Sequence, residues 1–160
     1  MTQLALSKSL KTILVGVWLC GLALYFLIIP DLGSSIAAVD PEYAYCYWPW
    51  LIFIWCTGIP VAAAMLMAWR ISTNIGADRS FSMQNAKLLK WIEYLAAGDA
   101  AFFFVGNIVL YIALGVTHPG IMIGALVVIF ACLAVAVAAA VLSHLVMKAA
   151  LMQEENDLTI

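Results

Sequence analysis

One carboxylic acid lies deep in an apolar stretch. Of all residues in this chain, it would cost the most free energy to insert into a membrane. Asp99 follows Trp91 on a predicted helix, and a rise of about 1.5 Å per residue puts it about 12 Å beyond that ring. Aromatic rings such as that of Trp favour the membrane interface, so Asp99 would lie well inside the membrane. A carboxylate near the centre of a membrane helix costs roughly 2.5 to 3.5 kcal/mol on insertion scales, so it must face protein or water.

Other polar groups are predicted at a similar depth. Counting back from Trp69 along the preceding helix puts Pro60 about 13.5 Å inside. Proline lacks an N–H and frees a carbonyl one turn earlier, so we expect a helix break from Thr57 to Pro60 that offers a hydroxyl and loosened carbonyls to Asp99. Asn107 extends the same polar stripe. The simplest interpretation is a neutral Asp99 that ties helices together; a proton or cation site and a water-filled pocket are the alternatives.

A second pair of titratable residues is predicted near one membrane boundary. Glu93 and His144 lie on helices that run in opposite directions, at similar distances from that boundary. A histidine that titrates beside a carboxylate would make a pH-sensitive latch, although both side chains would more simply reach the lipid headgroups. The sequence has no nucleophile–base array, glycine-rich phosphate loop or metal-ligand spacing. We therefore predict no enzyme activity, no metal site and no cofactor.

Composition identifies the solvent around these residues. Hydrophobic residues make up 66% of the 160-residue chain, charged residues 10%, and the mean hydropathy is +1.07, whereas soluble folds carry about 25% charged residues. Four near-continuous apolar stretches each suit the roughly 20 residues that a helix needs to cross the bilayer. We predict one all-α domain, a four-helix transmembrane bundle with spans at about 12–29, 49–69, 88–116 and 121–147. A cleaved signal peptide is the alternative for the first span.

Charge placement predicts the orientation of the four spans. All seven Lys and Arg residues lie before the first span, around the loop between the second and third, or after the fourth. Loops rich in Lys and Arg stay in the cytoplasm, so we expect both termini, the loop 70–87 and the tail 148–160 to be cytoplasmic. The predicted external loop 30–48 carries only acidic formal charges. Because four apolar spans cross the membrane in this prediction, the lipid bilayer is a predicted partner of the chain.

Small residues in the fourth span predict how it packs. Ala131, Ala134 and Ala138 recur on one helical face, and Gly120 and Gly124 form a G-x-x-x-G step at its outer end. Small residues let helix backbones approach closely in lipid. We expect this face to be the contact within the bundle; a homodimer interface is the alternative.

The loop before the third span and the C-terminal tail are the main cytoplasmic features. Ser82 stands where a helix N-cap is expected, so the third helix should begin near Met83. If the fourth helix continues to about Asn156, its acidic residues lie at the end that the macrodipole disfavours, by roughly 0.3 to 1 kcal/mol each. Basic side chains of the loop would offset that cost; a solvated tail is the alternative. The residues expected to form a cytoplasmic interaction surface are Arg79, Phe81, Ser82, Asn85, Lys87, Lys90, Glu154, Glu155 and Asp157.

Two stretches of this surface resemble a known family. They are Arg79-Ser80-Phe81-Ser82-Met83-Gln84-Asn85-Ala86-Lys87 and the terminal Gln153-Glu154-Glu155-Asn156-Asp157-Leu158-Thr159-Ile160. Both are similar to signature stretches of the bacterial "domain of unknown function 2975" family, and the layout of spans resembles it over essentially the whole chain. The resemblance implies a small four-span protein of the bacterial cytoplasmic membrane, without an assigned activity and often encoded beside a short helix-turn-helix regulator of the Cro/C1 type. It carries over no catalytic residues.

We carry forward three hypotheses for function. The first is a regulatory membrane protein whose inner loop and acidic tail engage a cytoplasmic partner such as that regulator, with no direct binding of nucleic acid. The second is a small transporter or proton-coupled module centred on Asp99 and the Pro60 kink. The third is a structural membrane subunit without a ligand.

Overall fold

The computed structural model describes residues 2–115 and 119–157, and all regular structure within those ranges is helical. The prediction of an all-α fold is confirmed. The elements in chain order are α1 (Gln3–Ala23), a π-helical turn (Leu24–Ile28), α2 (Ile29–Val39), a 3₁₀ turn (Pro41–Cys46), α3 (Tyr47–Gly76), α4 (Met83–Leu114) and α5 (Pro119–Asp157).

Four helical stretches are long and apolar enough to cross a membrane. The first is 37 residues long, about 55 Å at 1.5 Å per residue, which exceeds the roughly 30 Å of the hydrocarbon core. Large apolar side chains such as those of Leu19, Ile112 and Phe130 are exposed along the helices, as expected of surfaces that face lipid. The fold is therefore consistent with a four-span membrane bundle. The stretches are Gln3–Val39, Pro41–Gly76, Met83–Leu114 and Pro119–Asn156.

Local sequence signals set both ends of α4. Ser82 is its N-cap, and its hydroxyl accepts a hydrogen bond from the N–H of Asn85 at 3.3 Å. The predicted start near Met83 is therefore confirmed. The helix ends at Leu114, and the capping residue that follows, Gly115, has a φ of 64°, the left-handed conformation that glycine adopts readily. The N–H of Gly115 donates to the carbonyl of Tyr111 at 2.9 Å.

The chain stays helical past Pro30, although the sequence predicts an external loop over 30–48. Proline lacks an N–H, and in an α-helix its ring clashes with the carbonyl four residues earlier. The turn just before it is π-helical, and the N–H of Ile29 donates to the carbonyl of Leu24, five residues back. This wider turn replaces the regular hydrogen bonds at the point where proline would disturb them. The first span therefore continues into α2 instead of ending at the proline.

α4 is the central helix of the bundle. It packs between α5 and α3, and α3 in turn packs against α1. The buried core contains Ile54 of α3, Phe103 of α4 and Ala125 of α5, with Tyr25 and Ile29 of the first span packed against it. All four spans therefore meet at this level of the bundle.

One aromatic ring interlocks α3 and α4. The ring centroid of Phe53 lies 5.3 Å from that of Phe102 and 5.4 Å from that of Phe103. The same ring lies over Gly106, where a Cβ atom would overlap it. The absence of a side chain at Gly106 therefore fixes how closely α4 approaches α3.

The packed face of α5 differs from the predicted one. Ala131, Ala134 and Ala138 are exposed, and the space around Gly124 is open. The prediction that this face makes the contact within the bundle is therefore wrong. Alanines occur on both faces of α5, and the buried ones share the face of Cys132 and Ser143, which contact α4. The homodimer alternative stays a prediction. The buried positions of α5 include Ala125, Ala136, Ala139, Ser143 and Ala150.

We expect Gly106→Ala to destabilise the bundle by about 1 to 3 kcal/mol, the usual cost of overpacking, because the new methyl group would overlap the Phe53 ring. The matched control is Gly98→Ala on the same helix, where nothing lies within 4 Å of an added Cβ. Thermal unfolding in detergent, followed by tryptophan fluorescence, measures both variants. An equal loss of stability in the Gly106→Ala and Gly98→Ala variants would show that the Phe53–Gly106 contact does not set the packing of α3 on α4.

Candidate functional site

Asn85 organises the loop between α3 and α4. Its side chain is 1% exposed, and its Nδ2 donates to the carbonyls of Arg79 and Ser80, both at 3.0 Å. Its Oδ1 accepts a hydrogen bond of 2.7 Å from Nδ2 of Asn74. A single buried amide thereby joins the end of α3, the loop and the first turn of α4.

The end of α3 is closed by a fixed turn. The N–H of Arg79 donates to the carbonyl of Asn74 at 2.9 Å, and that of Asp78 donates to Ile75 at 3.1 Å. This pair of bonds is the Schellman pattern, in which the residue after the helix takes a left-handed conformation. Asp78 has a φ of 59°, and Asp tolerates this region better than most residues with a side chain. The loop therefore starts from a defined geometry.

α1 is clamped against α3 at the same end of the bundle. The hydroxyl of Ser7 donates to the carbonyl of Ser72 at 2.7 Å, and the hydroxyl of Ser72 donates back to the carbonyl of Ser7 at 3.0 Å. Gly76 lies so close that an added Cβ would be 2.8 Å from the Ser7 hydroxyl oxygen. Lys11 places its ammonium 5.3 Å from the ring centroid of Trp69, which adds a cation–π contact.

α5 is tied to the beginning of α4. The hydroxyl of Ser143 is buried and donates to the carbonyl of Ala86 at 2.8 Å. Farther along α5, Ala150 is buried, whereas every described side chain after it is exposed. The end of α5 therefore extends beyond the packed part of the bundle.

A groove lies between the loop and the end of α5. Its volume is about 570 Å³, and the Phe81 side chain beside it is 58% exposed. One wall carries Arg79 and the opposite wall carries Glu154. The groove thus combines an aromatic ring with charges of both signs. It is lined by Gln3, Asp78, Arg79, Ser80, Phe81, Ser82, Met83, Ala150, Gln153 and Glu154.

The groove lies at one end of the helical stretches that are long and apolar enough to cross a membrane. Trp91, an exposed ring of the kind found at interfaces, is about 12 Å along α4 from Met83. Headgroups add only about 5 to 8 Å to each side of the hydrocarbon core. With Trp91 at the interface, Phe81, which precedes Met83, would lie beyond the headgroups.

The predicted interaction surface divides into three groups. Ser82 and Asn85 hold the loop together from inside, while Arg79, Phe81 and Glu154 line the groove. Lys87, Lys90 and Glu155 are exposed and are not among the groove residues. The Asp157 side chain and the rest of the predicted tail, 158–160, lie outside the described residues.

The predicted partners Glu93 and His144 are not paired. The ammonium of Lys90 lies 3.0 Å from both carboxylate oxygens of Glu93 and 5.0 Å from the ring centroid of Tyr94. His144 is exposed on α5. The structure therefore gives Glu93 a cationic partner on its own helix, and the pH-sensitive latch stays a prediction.

Asp99 is the centre of a second polar cluster, in the middle of the bundle. Its side chain is 6% exposed, and its Oδ2 accepts the thiol of Cys132 on α5 at 3.9 Å. Its Oδ1 is buried and has no hydrogen-bond partner among the described residues. Tyr25 of the first span lies within electrostatic range of both Asp99 and Cys132. Asp99 faces protein, as the cost of exposing it to lipid requires.

The predicted break in α3 is absent, because the helix runs from Tyr47 to Gly76 with Pro60 inside it. Thr57 donates to the carbonyl of Ile54 at 2.7 Å, so in the 3.0 Å contact between the two hydroxyls Tyr25 is the donor. The proline removes one donor, and packing on both sides keeps the helix intact. Thr57 therefore contributes to the cluster through Tyr25. The prediction of a helix break is wrong, and the carbonyl freed by Pro60 stays a prediction.

Asn107 is separate from the Asp99 cluster. Its Nδ2 donates to the carbonyl of Phe103 on its own helix at 2.7 Å. It lines an apolar cleft of about 460 Å³ between α4 and α5, together with Trp50 and Tyr111.

Sequence reasoning missed Cys132 and Tyr25. A lone thiol in an apolar helix is usually a small packing residue, and Tyr25 lies in the first span without a nearby charge. Only the antiparallel register of α4 and α5, which places Ala86 against Ser143 and Asp99 against Cys132, shows that the thiol has a polar partner.

Comparison with known proteins identifies the group to which this fold belongs. Residues 31–160 match the family model described as "Protein of unknown function (DUF2975)". The chain is also 34% identical over 152 residues to the uncharacterized membrane protein YoaS of Bacillus subtilis strain 168, which covers 94% of this chain and 95% of that relative. The chain belongs to the DUF2975 family. No solved structure matches it.

Membership of the DUF2975 family confirms the resemblance seen in the sequence and agrees with a multi-pass membrane protein. The structure gives a physical role to the signature stretch at 79–87. Ser82 caps α4 and Asn85 holds the loop, so part of that stretch maintains the shape of the groove. Arg79 and Phe81 face the groove itself.

We expect Asn85→Ala to lower the free energy of unfolding by about 1 to 3 kcal/mol, because it leaves two carbonyls and the Asn74 amide without their partner. The control is Gln84→Ala, an exposed neighbour on the same helical turn, which should change stability by less than about 0.5 kcal/mol. Thermal unfolding in detergent measures both. Equal stability of the two variants would contradict the role of Asn85 as the organiser of the loop.

Proposed function

We propose that this protein is a regulatory component of the bacterial cytoplasmic membrane whose inner groove holds a cytoplasmic helix-turn-helix transcription regulator. Both termini and the groove would then face the cytoplasm. This orientation is supported by the placement of all seven Lys and Arg residues near one side of the spans.

The observation that carries this proposal is the exposure of Phe81 on a rigid loop. The buried amide of Asn85 and the turn at Asp78 hold the loop in one conformation. Phe81 is nevertheless 58% exposed and, with Trp91 at the interface, would lie beyond the headgroups. An aromatic side chain on a preorganised surface is the usual anchor of a protein–protein contact, and Met83 adds further apolar surface to the same groove.

The charge at the end of α5 suits a DNA-binding partner. Glu154 and Glu155 lie in the last turns of the helix, where the macrodipole already supplies partial negative charge. Proteins that bind DNA carry basic surfaces that neutralise phosphates. The acidic end of α5 would therefore attract such a surface and compete with DNA for it. Binding to the membrane would keep the regulator away from its operator.

The test is the affinity of the detergent-solubilised protein for a purified helix-turn-helix regulator of the Cro/C1 type, the kind that the family resemblance implies is often encoded beside such genes. We expect Phe81→Ala to weaken binding at least about tenfold, because truncating an anchor costs more than about 1 kcal/mol. Glu154→Gln should weaken binding less and reduce its dependence on salt. The matched control, Gln84→Ala, changes an exposed side chain that does not line the groove and should leave the affinity unchanged.

The competition with DNA supplies a second readout. Operator DNA added to the complex should release the regulator from the membrane protein. Failure of the parent protein to retain the regulator, or equal affinity of the parent and Phe81→Ala, would contradict the proposal. Either result would favour the transporter or the structural subunit, which stay predictions.

A further inference from the structure

We propose that Asp99 is a proton-binding site inside the membrane: the closed bundle holds it as a neutral carboxylic acid, and its proton exchanges with water when α5 separates locally from α4. This proposal is independent of the inner groove and does not require a protein partner.

The first support is the geometry of the carboxyl group. Asp99 is 6% exposed, and the hydrogen-bond contact of its carboxyl group within the described part of the chain, with the thiol of Cys132, is long at 3.9 Å. The other carboxyl oxygen, Oδ1, is buried and without a hydrogen-bond partner among the described residues. A buried carboxylate needs a cation or several donors, and this site offers one weak donor. The group that the site lacks is a counter-charge.

The second support is the set of groups that face Asp99 from the neighbouring helices. α5 contributes the thiol of Cys132, and the first span contributes the phenol of Tyr25. α3 contributes the hydroxyl of Thr57 through its contact with Tyr25, and a hydroxyl of this kind does not titrate. None of these groups is a cation. The nearest basic residue along α4, Lys90, is about 13.5 Å away along the helix axis and is paired with Glu93.

A proton is the counter-charge that fits this space. It binds directly to a carboxyl oxygen and needs no cavity, and it removes the charge whose burial is costly. The protonated acid then carries an O–H at Oδ1 that requires a hydrogen-bond acceptor. An entering water molecule would supply that acceptor.

Proton release follows from the weakness of the contact with α5. A thiol is a weak donor, so breaking the bond between Cys132 and Asp99 costs little by itself, and α4 and α5 stay packed along the rest of their length. Water that enters then takes the proton: the O–H bond of the acid breaks, the water becomes hydronium, and the carboxylate keeps the electron pair. Re-entry of a proton restores the neutral acid and lets the helices close.

Infrared spectroscopy of the protein in lipid vesicles tests the site directly. At neutral pH the parent should show the carbonyl stretch of a protonated carboxylic acid, and the variants below assign that band to its residue. Asp99→Asn should remove that band completely, whereas Glu93→Gln should leave it in place. The band should shift in D2O and disappear reversibly as the pH rises.

Two outcomes would overturn the proposal. If Asp99→Asn removes no such band, Asp99 is ionised in the bundle. If the band is present but neither shifts in D2O nor titrates, the acid is a locked structural group and exchanges no proton. Should the Asn variant fail to fold, Asp99→Glu keeps the acid and should move the band to a different frequency.

Discussion

In lipid, an apolar side chain gains little by leaving the solvent for the interior of a helix bundle, so the hydrophobic effect does not hold transmembrane helices together. Association then depends on close packing and on hydrogen bonds between helices. This chain uses both. The reciprocal bonds between Ser7 and Ser72 join α1 to α3, the Ser143 hydroxyl joins α5 to α4, and the Phe53 ring locks α3 to α4 over a glycine.

These contacts are distributed unevenly along the bundle. The end that carries the groove combines the serine pair, the Asn85 network and the Ser143 bond, and these contacts shape the groove. In the middle of the bundle α4 and α5 pack through apolar side chains such as Phe103 and Ala125, and the polar contact at Asp99 is one weak thiol hydrogen bond. An end tied by several hydrogen bonds and a middle whose polar contact is weak suit two different tasks. The first presents a fixed surface, and the second admits a small rearrangement around an acidic group.

The sequence predicted what depends on local signals. Hydropathy located four spans, and Ser82 marked the start of α4. The fourth span was predicted over 121–147, with its continuation to about Asn156 left open, and α5 extends to Asp157. The sequence predicted poorly those features that depend on the register between helices. The buried face of α5 was misassigned because alanines occur all around that helix, and the partner of Asp99 was missed because a cysteine carries no polar signal. Pro60 suggested a break, but packing keeps α3 continuous.

The groove has the role proposed for it only if it faces the cytoplasm. Single cysteines placed at Ala44 in the outer 3₁₀ turn and at Gln84 beside the groove, both exposed positions, distinguish the two orientations when the four native cysteines are replaced by alanine. A membrane-impermeant maleimide should label Ala44→Cys in intact cells and Gln84→Cys only after the membrane is permeabilised. Labelling of Gln84→Cys in intact cells would place the groove outside the cell, where no transcription regulator reaches it, and would contradict this account.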